Sequence, residues 1–229
     1  MAVNIDTVYQ RVLAITNKEQ RGYITPQEFN LMANQAQMDI FEQYFYDINQ
    51  VSRVPGNSTE YSDMLDVLNE KLALFKQTSG NLAFSNNAFT LPANMYKLGT
   101  VIFDGLIEVE EVKENEMLTM FNTALSVPTE RRPVYVRNSR GLIIFPNSVS
   151  GNVNCKFIRR PATVNWSYVI FKEEALYDAP NSVDFELHDT EESKLVIKIL
   201  GLAGVVLQDP AVYQLASAKE VQKIQQEKS

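Results

Sequence analysis

Between Leu195 and Leu207 the chain is apolar at nearly every position, Lys198 being the one charged residue in the run. The run is well short of the roughly 20 residues that a bilayer span needs. A helix that is apolar all round must instead be buried by other protein on every side, as at the centre of a bundle. Gly201, Ala203 and Gly204 cost helix propensity but let a neighbouring helix approach closely. Asp189 and Glu192 can form a capping box at its start. The rest of the chain has to supply the helices that cover it.

Candidates for that role lie at the N-terminus. Ile5, Val8, Val12 and Ile15 recur at helical spacing after a possible cap at Asn4, predicting a first helix that ends near Asn17. Thr25, Pro26 and Glu28 then make the clearest local signal in the sequence: a capping residue, a proline at the first helical position, and the partner of a reciprocal capping box. The long helix that follows has an inward stripe of Phe29, Met32, Ala33, Ala36, Ile40, Phe41, Tyr44, Ile48 and Val51. Its other face carries Asn30, Asn34, Gln35, Gln37 and Gln43, polar but uncharged. The ordinary expectation is a solvated face, and the alternative is a surface covered by another protein. Pro55-Gly56-Asn57 breaks the pattern, and Met64, Leu65, Leu68, Leu72 and Phe75 define a third helix ending near Gly80.

From about residue 81 the period changes to short β-type runs. Val134 to Val136 and Leu142 to Phe145 flank Asn138-Ser139-Arg140-Gly141, a hairpin whose turn Asn and Gly supply. A third strand is expected over Val153 to Ile158, and an amphipathic helix over Glu114 to Leu125. After the apolar run, Asp209-Pro210 restarts a last helix with Val212, Leu215 and Ala216 on one face. The expected fold is α+β, a helical bundle formed by N- and C-terminal helices with an inserted antiparallel β-rich module. Its expected parts are 1–80 and 185–208 for the bundle, 81–184 for the β module and 209–229 for a C-terminal helix.

With 45% hydrophobic and 21% charged residues, the 229-residue chain has the composition of a folded protein with a real core. One cysteine, Cys155, allows no intramolecular disulfide. The start lacks a basic segment followed by an apolar one, so no signal peptide is expected. His188 is the single histidine, which excludes multi-histidine metal sites within one chain. Neither a phosphate-cradling Gly-Lys-Ser/Thr loop nor a nucleophile elbow is present. Asp104, Glu108, Glu110, Glu111, Glu114 and Glu116 lack the alternation of a calcium loop and read as a solvated acidic surface. No enzyme, cofactor or metal is expected.

Charge is where the sequence departs from the average. Arg131, Arg132, Arg137, Arg140, Lys156, Arg159 and Arg160 face only Glu130 between residues 130 and 160, a local +6 in a chain of net −7, so the remainder carries −13. A molecule so divided can associate with copies of itself or offer one face to phosphate.

Several of these segments, taken in order, resemble the head–tail connector (adaptor) proteins of short-tailed bacteriophages, often called tail tubular protein A, including the ring proteins beneath the portal in crAss-like phages. The similarity is carried by Val3 to Gln50 with Gly22-Tyr23-Ile24-Thr25-Pro26-Gln27-Glu28-Phe29-Asn30 and Asn34-Gln35-Ala36-Gln37. Phe89-Thr90-Leu91-Pro92, Arg132-Pro133-Val134-Tyr135 and Phe157-Ile158-Arg159-Arg160-Pro161 leading to Trp166 continue it. Phe185-Glu186-Leu187 and the run from Leu195 to Asp209-Pro210 complete it.

The resemblance implies a structural virion protein, made in the host cytoplasm. It would assemble as a dodecameric ring under the portal protein, extend the DNA channel and seat the tail. Its partners would be the portal, neighbouring copies and other tail or ring proteins, with non-specific contact to packaged DNA and none to membrane. On this view Pro210, Val212, Tyr213, Leu215 and Ala216 dock into the portal, and the basic region faces either a neighbouring copy or the DNA channel. The alternatives are another ring or nozzle component lower in the tail, or a DNA-binding accessory protein.

Overall fold

The computed structural model describes residues 2–18, 24–53, 59–172, 174–206, 214, 217–222 and 225. The architecture is α+β, and the chain divides into two compact units: 1–74 with 161–229, and 75–160. In chain order, β1 (Ala2–Val3), α1 (Ile5–Lys18), α2 (Pro26–Arg53) and α3 (Thr59–Ala73) come first. The sheet unit holds β2 (Lys76–Thr78), β3 (Phe84–Ser85), β4 (Ala88–Phe89), β5 (Met95–Phe103), β6 (Ile107–Glu111), α4 (Glu114–Asn122), β7 (Val134–Asn138), β8 (Gly141–Phe145) and β9 (Val153–Arg159). The chain then returns to the helical unit with β10 (Tyr168–Phe171), β11 (Glu174–Tyr177), β12 (Phe185–His188) and α5 (Glu192–Val206).

The first two helices begin where the sequence places their caps, whereas at Asp189 a single 3-10 turn capped by His188 stands in place of the expected Asp189–Glu192 box. Asn4 Oδ1 accepts a hydrogen bond from the Thr7 amide at 3.0 Å ahead of the first full turn of α1. At α2, Thr25 Oγ1 accepts from the Glu28 amide at 3.3 Å while Glu28 Oε2 accepts from the Thr25 amide at 2.9 Å. Those bonds from Thr25 favour the ionised carboxyl of Glu28 and hold its pKa below the ordinary value. α2 lies against α3 and α5, and α1 against α5. Phe29, Ile40 and Phe41 of α2 and Leu195 and Ile199 of α5 are fully buried. Lys198, the charge inside the apolar run, pairs with Glu220 at 2.6 Å, tying the helical stretch 217–222 to α5.

Three residues of the Asn/Gln face of α2, Asn30, Asn34 and Gln37, bind the chain's own segment 162–166, whereas Gln35 is exposed with its Nε2 donating to Asp39 Oδ1. Asn34 Oδ1 accepts from the Val164 amide and Asn34 Nδ2 donates to the Val164 carbonyl, both at 2.9 Å. Asn30 holds Trp166 in the same way, with Oδ1 accepting from its amide at 2.8 Å and Nδ2 donating to its carbonyl at 3.2 Å. Gln37 Nε2 donates to the Ala162 carbonyl at 2.8 Å and Gln37 Oε1 accepts from the Glu186 amide at 3.0 Å. Glu186 Oε2 closes the array by accepting from the Ala162 amide at 2.7 Å. The carboxamides thus imitate a neighbouring strand. The spacings suit the task, because two extended residues advance about 6.6–6.8 Å and four helical residues about 6 Å.

The strap delivers Trp166 into the helical unit, where it is 2% exposed. Its ring centroid lies 4.3 Å from that of Tyr9 and is stacked near Tyr168 and Tyr177 at 5.8 and 5.7 Å. The indole Nε1–H donates to Asp6 Oδ1 at 3.0 Å, so the buried ring keeps its one polar group satisfied. A second buried polar centre sits just before α5. Glu191, 1% exposed, receives Lys71 Nζ of α3 at 2.5 Å and lies 4.0 Å from Lys194 Nζ. Lys71 Nζ is also 5.7 Å from the centre of the Tyr44 ring.

In the sheet unit, eight strands run in the order β2-β9-β5-β6-β7-β8-β4-β3, antiparallel except for β6 and β7. One face is apolar, with Phe89, Val101, Tyr135, Leu142, Cys155 and Phe157 in its core. Cys155 is there as a buried small residue. On the opposite face α4 covers only part of the sheet, through Met117 and Met120 against Val112, Val134 and Phe145. The predicted hairpin forms as β7 and β8, and Gly141 has a double reason to be glycine. Its φ is +133°, and a Cβ there would lie 2.1 Å from the Phe89 carbonyl oxygen.

Two sequence expectations change. The third helix stops at Ala73 rather than near Gly80, and residues 76–78 pair with β9. All three are exposed, so this edge strand has none of the apolar alternation that announces a strand. The β-rich stretch read as 81–184 is also divided differently. The sheet unit ends at Arg160, and 161–184 clusters with the helices because of the strap and the β10–β11 hairpin.

Candidate interaction surfaces

The seven basic residues read as one region fall into two groups. β9 and β7 are three strand steps apart in the sheet order, about 14 Å. On the β7 side, Arg132 pairs with Glu110 at 3.5 Å, and Arg137 borders a groove lined also by Glu111, Glu114 and Glu116. Glu111 Oε2 accepts from the Tyr135 hydroxyl at 3.2 Å, and burial together with that carboxylate pushes the Tyr135 pKa up to about 12. Arg131 is exposed in the turn before β7, and Arg140 sits in the β7–β8 turn with its amide bonded to Asn138 Oδ1. Glu110, Glu111, Glu114 and Glu116 of the acidic cluster therefore share this end with the arginines.

The β9 side has a different character. Arg159 is partly buried, with its guanidinium 5.8 Å from the centre of the Phe75 ring and its Nη1 donating to the Arg160 carbonyl, so it supports its own strand end. Arg160 is exposed, its amide held by the Asn94 carbonyl. Lys156 acquires company that its sequence position does not reveal. Ile158 pairs with Lys76 on one side and Lys97 on the other, and Lys156 pairs with Thr78. Paired residues share a face, and Phe157 between them points into the core, so all three lysines stand on the opposite, outer face.

Together with Thr78, Thr100 and Ile158 these lysines line an open groove of about 330 Å³, and none of its lining residues is acidic. β5 bulges here, between Leu98 and Val101, and a Cβ on Gly99 would lie 2.8 Å from the Lys156 carbonyl oxygen. Lys76 and Lys97 were missed in the sequence because neither lies near Lys156 along the chain. Only strand pairing reveals them.

Pro210, Val212, Tyr213, Leu215 and Ala216 lie outside the described residues. His188 closes β12, and its Nδ1 accepts from the Thr190 amide at 3.3 Å at the turn into α5. Among the described residues no group of three or more His, Cys, Asp and Glu is placed to hold a metal ion, and no helix is long and apolar enough to cross a membrane. The sequence matches no protein-family model, and comparison with curated proteins finds no match.

Proposed function

We propose that the protein is a structural ring subunit of a phage virion, a head–tail connector that binds under the portal, extends the DNA channel and seats the tail. The observation that carries the reading is the meeting of three distant segments that bear the family resemblance. Asn30 to Gln37, the strap ending at Trp166, and Phe185-Glu186-Leu187 are joined by one set of hydrogen bonds. These segments are therefore parts of one hydrogen-bonded scaffold in this chain, which supports reading them together. In this reading α1, α2, α3 and α5 form the bundle of the adaptor, and the sheet unit is its inserted β module.

The work of such a subunit is mechanical. The last segment, 209–229, docks into the portal as an amphipathic helix with Val212 and Leu215 toward the partner, the helix-in-groove mode of recognition. Replacing both with Asp is expected to abolish capture by the purified portal of the same genome, while the far-ultraviolet circular dichroism and the unfolding transition stay as in the parent chain. A folded variant that still binds the portal normally would rule out docking through this segment.

A further inference from the structure

The two units carry opposite charge. Residues 75–160 contain ten Lys and Arg against seven Asp and Glu, a net +3, so of the chain's −7 the remainder carries −10. On the sheet unit Lys76, Lys97 and Lys156 share one face, on the half that α4 leaves open, along a groove whose lining residues include no acid. On the helical unit, the outward stripe of α2 runs through Glu28, Leu31, Gln35, Asp39, Glu42 and Tyr46, at spacings of three and four. Leu31 is 74% and Tyr46 57% exposed, and no Lys or Arg occurs in α2 before Arg53. The lysine strip likewise has an apolar residue, Ile158, among its charges.

We infer that the lysine strip of one copy seats on the outer stripe of α2 of a second copy, so that the chain associates head to tail with itself. The inference rests on the proposed ring and names the contact that builds it. Different patches on the two partners make a heterologous interface, the kind that closes into a ring when its rotation allows. A second copy fits better than nucleic acid because a unit of net −10 repels polyanions, while it steers the positive unit of another copy toward itself. Exposed carboxylates and ammonium groups also make the contact weaken with salt.

Two double reversals test it: Lys76→Glu with Lys156→Glu, and Asp39→Lys with Glu42→Lys. Sedimentation velocity of the full chain at low salt is expected to show concentration-dependent association, lost at high salt. Each variant alone is expected to stay monomeric, since each lacks one of the two patches. Mixed together they are expected to recover the larger species, because the two intact patches match each other across the pair and so do the two reversed ones. Combining all four reversals in one chain restores the larger species. Monomeric parent chain under these conditions, variants that still assemble, or a mixture that stays monomeric would each overturn the contact. If the lysine variant loses only duplex DNA retention, the strip serves nucleic acid instead, which overturns it too. Portal-bound rings that incorporate both variants as readily as the parent chain would leave the ring reading standing and remove this interface.

Discussion

Trp166→Ala is expected to destabilise the helical unit by about 3–5 kcal/mol, the range for deleting a large buried aromatic side chain. The ring is 2% exposed and touches or stacks on Tyr9, Tyr168 and Tyr177, residues from α1 and from both strands of the β10–β11 hairpin. Truncation leaves a cavity where α1, the strap and the hairpin meet. An isolated two-stranded hairpin is marginal in water, so β10–β11 loses much of its support along with the ring. Trp166→Phe retains most of the packing and gives up the bond to Asp6, an expected loss of about 0.5–1.5 kcal/mol. Urea unfolding followed by circular dichroism measures both. A Trp166→Ala cost no greater than that of Trp166→Phe would mean that the ring is not what joins these elements.

Glu191→Ala is expected to cost about as much, roughly 3–5 kcal/mol, for an electrostatic reason. Its carboxylate lies between Lys71 and Lys194 at 1% exposure, and the Lys194 side chain is itself only 5% exposed. Removing the acid takes the counter-charge from a partly buried Lys71 and a buried Lys194. A second variant separates lost charge pairing from lost packing. Glu191→Leu combined with Lys71→Met replaces a buried pair with apolar groups of similar size, a change that is often neutral or stabilising. The double variant is expected to recover a large part of the loss in the same unfolding measurement. If it is as unstable as Glu191→Ala, the contribution of Glu191 is steric rather than ionic.

Much of the helical unit is legible in the sequence because its signals are local. A capping box lies within four residues, and the apolar stripe of α2 is a period that any window of the helix displays. The partner of the Asn/Gln face is not legible. Asn30, Asn34 and Gln37 look the same whether they bond to water, to another protein or to residues more than a hundred positions away, as they do. The same limit explains the strand of Lys76 to Thr78, an exposed edge whose identity comes only from pairing with β9.

The basic region shows the converse error, in which nearness along the chain suggests nearness in space. Sheet order separates Arg132 and Arg137 from Lys156 and places acids beside them, while Lys76 and Lys97 arrive from distant segments. Arg159, among the most prominent residues of the region, packs on Phe75 within its own unit.

The central claim is that this chain forms a ring beneath a portal. Its most direct test is electron microscopy of the purified protein mixed with the portal encoded by the same genome, counting copies around the axis. The account predicts a closed ring seated directly under the portal, with the C-terminal segment inserted into it. Two well-folded components that form no complex would contradict it and move the protein to a lower tail ring or out of the tail altogether.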